Sequence, residues 1–80
     1  MALVRDIKDT TKDHPTLHEP TECLASIFTD REGRRVIQLD TYGSSQRKMP
    51  GKVSQALQFD ERAASQLKDL IERAFPGLRK

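Results

Sequence analysis

The sequence predicts an α+β fold in which an antiparallel β-sheet of three to four strands is followed by one C-terminal amphipathic helix, in the order β-β-β-α. Polar and apolar residues alternate along residues 34–42, which is the pattern of a half-buried strand. Apolar residues recur at three- and four-residue spacing along residues 60–75, which is the pattern of an amphipathic helix. With 80 residues, the chain has room for one domain.

Residues 1–21 are expected to form a flexible or irregular N-terminal arm, and residues 22–80 the binding domain of sheet plus helix. Most of the arm, residues 5–20, contains two prolines and no sustained hydrophobic period. We therefore expect this stretch to be mobile in the free protein. Residues 3–7 are a candidate for a short additional strand.

A β-hairpin is predicted from residues 23–29 and 34–42. The first stretch is short, apolar and partly β-branched, and the second alternates between polar and apolar residues. Between them lie residues 30–33, where Gly33 can supply the positive φ that a tight turn requires.

A third strand and the helix complete the predicted domain. Residues 43–52 have the glycine, serine and proline content of a loop, and a strand is predicted over residues 53–59. Asp60 is the predicted N-cap of the helix. The helix is expected to end before Pro76, because the residue preceding a proline is disfavoured in helical geometry.

The alternation assigns the side chains to two faces of the sheet. One face is expected to pack under the helix, and the other to stay open. The predicted core face carries Ile37, Leu39, Val53, Leu57 and Phe59. The predicted open face carries Arg34, Val36, Gln38, Asp40 and Tyr42, beside Ser54, Ala56 and Gln58.

No group of residues in the sequence has the composition of a catalytic site. The two histidines, His14 and His18, both lie in the arm, and Cys23 is expected to pack as a small apolar residue. Metal binding is disfavoured because no fourth ligand accompanies these three residues. We expect a protein that is not an enzyme and that uses no cofactor, metal or small-molecule substrate.

Self-association is expected because the core is small. A domain of this size buries only about 60% of its unfolded surface, and small domains compensate with disulfides, metals or oligomerisation. Cys23 is the single cysteine, so an internal disulfide is excluded. We expect a homodimer in which the C-terminal helix contributes to the interface.

The basic residues are concentrated in one part of the chain. Residues 31–52 include six basic and two acidic residues, a net charge of +4 in a chain whose total is +2. Proteins that bind single-stranded nucleic acid combine a cationic track with aromatic side chains on which bases stack. We therefore expect single-stranded DNA, or RNA, to bind across the open face, with Phe28 as a candidate second stacking residue. The expected nucleic-acid-binding residues are Arg34, Tyr42, Arg47, Lys48 and Lys52.

Two other interpretations fit the same residues. The basic residues can form a solvated surface without a partner, and Tyr42 can be a packing residue of the sheet. The chain can also be a small protein-interaction module, an adaptor or inhibitor that uses an exposed sheet edge and binds no nucleic acid. Salt-dependent binding to oligonucleotides distinguishes these alternatives, because phosphate neutralisation releases counterions.

Residues 36–71 resemble the C-terminal domain of the positive cofactor four family of transcriptional coactivators, whose fold is shared in outline with Whirly proteins. The matching features are the strand ending at Tyr42, the basic Pro-Gly loop at 47–52, the strand at 53–59 and the SQLK run at 65–68. The resemblance implies a curved four-stranded antiparallel sheet, single-stranded DNA bound across basic and aromatic sheet residues, and dimerisation through the helices. Because only three strands are clear in the sequence, the fourth would come from the arm.

We expect no secretory signal, because charged residues occur at positions 5 and 6 before any long apolar stretch, and no apolar run approaches the roughly 18 residues of a membrane span. A single cysteine fits a reducing compartment. We expect a cytoplasmic protein without a membrane partner, associated with the nucleoid if its ligand is DNA.

Overall fold

The computed structural model describes residues 1–42 and 53–79, without the side chain of Ser54; the predicted loop 43–52 lies outside the described residues. The predicted hairpin, third strand and helix are all present. In chain order the elements are β1 (Ala2–Val4), β2 (Cys23–Thr29), β3 (Arg35–Tyr42), β4 (Val53–Phe59), α1 (Glu61–Ala74) and a short 3-10 helix (Pro76–Leu78).

The four strands form one sheet in the order β1-β4-β3-β2. The pairs β2–β3 and β3–β4 are antiparallel, whereas β1 pairs with β4 in parallel. The α+β class and the single C-terminal helix are confirmed, and the arm supplies the fourth strand. The prediction that the whole sheet is antiparallel is wrong for β1. Because β2 and β3 lie between β1 and β4 in the chain, no tight turn forces this pair to be antiparallel.

The turn between β2 and β3 is organised by Asp30. Its Oδ1 accepts hydrogen bonds from the backbone N–H groups of Glu32, at 2.8 Å, and Arg34, at 2.9 Å. Gly33 has a φ of 84°, a left-handed conformation that is costly for a residue with a Cβ. The backbone N–H of Gly33 also donates to the Asp30 carbonyl at 3.1 Å. This local network is the reason why the hairpin was predictable from the sequence.

The helix α1 begins and ends where its sequence signals predict. The Asp60 carboxylate accepts a hydrogen bond from the Ala63 N–H at 2.9 Å, which makes Asp60 the N-cap. At the C-terminal end, the N–H of Phe75 donates to the Ile71 carbonyl at 2.9 Å, and Pro76 then starts the 3-10 helix.

The helix packs across one face of the sheet only. Ile37 pairs with Phe59 and Leu39 with Leu57 in the register of β3 and β4, so these four side chains share that face. An open groove of ≈ 360 Å³ lies between helix and sheet. It is lined by Ile37, Leu39, Phe59, Ala64, Leu67, Lys68, Ile71, Glu72 and Leu78.

A bulge moves Val53 to the face that the helix leaves open. Thr41 pairs with Gln55, but the next residue of β3, Tyr42, pairs with Val53. The extra residue in β4 interrupts the alternation, as bulges do. Val53 accordingly lines a surface depression together with Asp40 and Ala56. Its predicted place in the core under the helix is wrong, because strict alternation cannot anticipate a bulge.

The core is small. Among the described residues, Val36, Ala56, Phe59 and Ala63 are buried, and Ala63 is completely inaccessible. No large side chain in these ranges is fully buried. Several large apolar side chains of β2, β4, α1, the residue after α1 and the 3-10 helix are instead 36% or more exposed, namely Leu24, Ile27, Phe28, Leu57, Leu70, Ile71, Phe75 and Leu78.

The segment after β1 follows α1 from its N-terminal to its C-terminal end. Asp6 accepts from Arg62 at 3.3 Å and from Gln66 at 3.0 Å, and the Ile7 N–H donates to Gln66 Oε1 at 2.8 Å. Further along, Asp9 pairs with Arg73 at 3.0 Å. The first part of the predicted arm therefore lies against the helix, and residues 5–22 contain no helix or strand.

The N-cap can be tested by comparing two substitutions of Asp60. Asp60→Ala removes the acceptor for the Ala63 N–H and should lower the free energy of unfolding by about 1 kcal/mol. Asp60→Asn is the control, because asparagine also caps helices well. Urea denaturation followed by circular dichroism measures both. Equal stability of Asp60→Ala and the parent would contradict the assigned cap.

Candidate nucleic-acid interface

Within the described residues, no helix or strand lies over the sheet face opposite α1, and we call this face the open face. The register of the four strands decides which side chains share it, since cross-strand partners point to the same side. Its described members are Leu3, Leu24, Ser26, Phe28, Val36, Gln38, Asp40, Tyr42, Val53, Ala56 and Gln58.

A chain of hydrogen bonds runs across the middle of the open face. Gln58 Nε2 donates to Gln38 Oε1 at 2.8 Å, and Gln38 Nε2 donates to the Asp40 carboxylate at 3.0 and 3.3 Å. An ionised carboxylate can only accept hydrogen bonds, so Asp40 fixes the orientation of the Gln38 amide and, through it, that of Gln58. We call these three residues the polar strip.

The polar strip borders a shallow depression of ≈ 360 Å³ near the N-terminus of the chain. Ala56 is 8% exposed and forms part of its lining, because its methyl group is short beside the neighbouring side chains. The depression is lined by Met1, Ala2, Leu3, Gln38, Asp40, Val53, Ala56 and Gln58. Its lining therefore offers both apolar surface and hydrogen-bonding groups to a planar ligand.

Two aromatic residues stand at the two ends of the open face. Tyr42 is half-buried at the end of β3, where its carbonyl accepts a hydrogen bond from Thr21 Oγ1 at 2.6 Å. Phe28 is 38% exposed and pairs with Val36, near the start of β3. At the usual rise per strand residue, Val36 and Tyr42 are about 20 Å apart. The polar strip lies between the two rings.

The structure does not bring Arg34 and Tyr42 together. Arg34 precedes β3, so about 26 Å of extended chain separates the two residues. The Arg34 guanidinium forms ion pairs within the turn, with Asp30 at 2.9 Å and Glu32 at 3.3 Å. Arg34 is thus a turn-stabilising residue at one end of the open face.

The other three predicted phosphate-binding residues are Arg47, Lys48 and Lys52, and they lie outside the described residues. Their role stays a prediction. The strand ends Tyr42 and Val53 place the two attachment points of their loop at the Tyr42 end of the open face. Among the described members of the open face, the one charged side chain is Asp40.

The polar strip was not recognised in the sequence as a unit. Each of its residues was assigned to the open face, but the pairing of Gln38 with Gln58 depends on the register of β3 and β4. The sequence assigns Ile37 and Phe59 to the core face but does not pair them, so it held no signal that aligned the two glutamines.

The described residues contain no group of three histidine, cysteine, aspartate or glutamate side chains that could share a metal ion. Within the same ranges, no helix has both the length and the apolar character needed to cross a membrane.

Comparison with known proteins gives no match: no family model, characterised protein or solved structure matches this chain. The resemblance to the positive cofactor four family stays a prediction from the sequence of residues 36–71.

The turn network should be visible in the titration of Asp30. The backbone hydrogen bond from Arg34 lowers the pKa of Asp30 below its ordinary value of 3.8, against the opposing effect of burial, and the bond from Glu32 and the Arg34 side chain lower it further. The associated stabilisation is present above pH 3.8 and is lost as the pH falls through the lowered pKa. Carboxyl NMR titration should give a pKa below 3.8 for Asp30.

In Arg34→Ala the backbone N–H groups that bond Asp30 remain, so the pKa of Asp30 should rise only part of the way toward its ordinary value of 3.8. A pKa at or above 3.8 in the parent protein would contradict the turn geometry.

Proposed function

We propose that this protein binds single-stranded nucleic acid on its open face, as a binding protein rather than an enzyme, and that it acts as a homodimer in a transcription-coactivator-like role. The observation that carries the proposal is the uncovered face itself, which places Phe28 and Tyr42 on either side of the polar strip. Aromatic side chains with polar groups between them suit unpaired bases, which expose both a flat surface and a hydrogen-bonding edge.

The proposal gives different tasks to different parts of the face. Tyr42 stacks on a base, and Phe28 is the candidate second stacking residue. The polar strip binds base edges, where the Asp40 carboxylate accepts hydrogen bonds from base N–H groups and repels phosphates. Phosphates are held at one end of the face by Arg47, Lys48 and Lys52 in the loop that follows Tyr42. At the other end Arg34 contacts a phosphate by giving up its ion pair with Glu32, while its pair with Asp30 keeps the turn in place.

The proposed homodimer is supported by exposed apolar side chains in α1 and just beyond its C-terminal end. Ile71 is 40% exposed, Phe75 62% and Leu78 61%. Contiguous exposed apolar side chains are typical of interaction surfaces. A second copy that covers them would supply the burial that the single chain lacks.

The proposed site of action is the cytoplasm, and the nucleoid if the ligand is DNA. The proposal involves no membrane, cofactor or small-molecule substrate.

A protein-interaction module is the second candidate function. The observation in its favour is β2, an edge strand with seven exposed residues. Edge strands can accept a strand from another protein through backbone hydrogen bonds.

The stacking and phosphate-binding roles predict different responses to mutation. Tyr42→Ala should weaken binding of single-stranded oligonucleotides by about 1–3 kcal/mol with little change in salt dependence. The double variant Arg47→Ala/Lys48→Ala should lower the slope of log K against log salt by about two, one for each phosphate contact. Fluorescence anisotropy at several salt concentrations measures both quantities.

Tyr42→Phe is the matched control, because it keeps the ring and should bind like the parent. Double-stranded oligonucleotides of the same sequence should bind more weakly than single strands. If the folded double variant binds single strands as well as the parent at low salt, the protein-interaction module becomes the better function.

The polar strip predicts base selectivity. A carboxylate accepts two hydrogen bonds from the N1–H and N2–H groups of guanine, whereas Asp40→Asn replaces one acceptor oxygen with a donor. Parent protein should prefer oligo-dG-containing strands over their dA counterparts, and Asp40→Asn should lose about 1–3 kcal/mol of this preference. Competition titrations with matched oligonucleotides test it. If parent and variant show the same preference for dG-containing over dA-containing strands, Asp40 does not take part in base recognition.

A further inference from the structure

The outer edge of β2 has none of the features that normally keep sheet edges from pairing. β2 is the last strand of the sheet, and all seven of its residues are exposed. It contains no charged residue and no proline, and its pairing with β3 has no bulge. Natural edge strands are commonly protected by charges, prolines, bulges or short length. The opposite edge, β1, follows that rule, with only three residues.

We propose that β2 pairs in an antiparallel manner with β2 of a second copy of this chain, with the two-fold axis at Ser26. In this register Leu24 of one copy lies opposite Phe28 of the other on the open face. Ala25 lies opposite Ile27 on the helix face. Leu24 and Ile27 are 56% and 65% exposed in the single chain, so the pairing covers the most exposed apolar side chains of the strand.

The sequence favours this register over its neighbours. An axis at Ala25 would place Glu22 of each copy opposite Phe28 of the other. An axis at Ile27 would place Asp30 of each copy opposite Leu24 of the other. In each of these two registers, one carboxylate from each copy is buried against an apolar side chain of the other copy. This is unfavourable without a partner charge. The axis at Ser26 pairs the seven residues of β2 with one another and buries no carboxylate against an apolar side chain. Just beyond the strand it places Glu22 opposite Asp30, whose charge is already paired with Arg34 at 2.9 Å.

This self-complementarity is the reason to choose a second copy over a strand of another protein. The strand CLASIFT has its small polar residue in the centre and matching apolar residues on each side. An isologous interface requires such a pattern, since the same surface must match itself. Pairing with a strand of a different protein would not require β2 to have a symmetric pattern.

The proposed pairing is compatible with a helix contribution to the dimer. A two-fold axis perpendicular to the sheet puts both helices on the same side of the joined sheet. The helix groove opens toward β2, because its sheet side is lined by Ile37 and Leu39 of β3 and a neighbouring depression includes Ile27. The exposed side chains Ile71 and Leu78 of the two copies would then face the space above the joined strands.

The inference goes beyond nucleic-acid binding and does not depend on it. Its test is cross-linking of the full-length protein without nucleic acid. Directly opposite residues of antiparallel strands have Cα atoms about 4.5–5.5 Å apart, within the range that a disulfide spans. The double variant Cys23→Ser/Ser26→Cys should therefore form a covalent dimer under mild oxidation.

Cys23→Ser/Thr29→Cys is the matched control on the same strand. Its two introduced thiols would be about 20 Å apart in the proposed register, so it should not cross-link. Thr29→Cys with the natural Cys23 retained should cross-link, because these positions are opposite each other. Cross-linking in the first and third variants and not in the second supports the register.

Sedimentation provides a readout without cysteine chemistry. Ser26→Lys places two like charges opposite each other and should raise the dimer dissociation constant by roughly fivefold. Ser26→Thr, with high strand propensity, should not raise it. Because Ser26 is exposed in the single chain, both variants should keep the monomer fold.

Three results would overturn the proposal. The first is a folded parent protein that stays monomeric at tens of micromolar, which would leave β2 free for another protein. The second is a dimer in which Cys23→Ser/Ser26→Cys does not cross-link, which would point to a helix-only interface. The third is equal cross-linking of the Ser26→Cys and Thr29→Cys variants in the Cys23→Ser background. Failure to bind oligonucleotides would leave all three measurements unchanged.

Discussion

The capped start of α1 determines which face of the sheet the helix covers, because Asp60 directly follows β4 and accepts a hydrogen bond from the Ala63 N–H. Ala63 lies in this first turn and is completely inaccessible, and its neighbour Ala64 lines the groove with Ile37 and Phe59, so a larger side chain at Ala63 would disturb the packing of the turn. The capping bond from its N–H to Asp60 fixes the start of the helix at the end of β4. From that point α1 crosses the face carrying Ile37 and Phe59, and no other described helix lies over the opposite face.

A single helix over four strands is too little cover for the apolar residues of this chain. Phe59 is buried under α1, but Leu57, on the same face and the same strand, is 42% exposed. The segment 5–9 covers the other flank of the helix with polar contacts, through Asp6 and Asp9, and adds little apolar burial. The side of the helix that faces β2 has no such cover within the described residues. Part of the apolar surface that remains, namely Ile27, Ile71 and Leu78, therefore borders the groove between α1 and the β2 edge, where a second copy of the chain can reach it.

Local signals predicted the fold, and contacts distant in sequence account for what was missed. Gly33 and Asp60 act on residues within four positions, so the turn and the helix start could be inferred directly. The parallel pairing of β1 depends on which edge of the sheet is available to it. The placement of Val53 on the open face depends on the position of a bulge. The periodicity of the sequence encodes neither. For the candidate site, the alternation placed Tyr42 on the correct face. The ion pairs of Arg34 were also local, with Asp30 and Glu32 four and two residues away.

The proposed pairing through β2 constrains how nucleic acid could use the open face. A two-fold axis through Ser26 repeats Tyr42 and Asp40 on the joined sheet with opposite strand direction. A single nucleic-acid strand has one chemical direction, so a strand that crosses the axis cannot make the same contacts with both copies. Two antiparallel strands can, because they are related by the same kind of two-fold symmetry. Equivalent use of both copies therefore favours two separated strands, or the two arms of one strand folded back, over one strand running straight across.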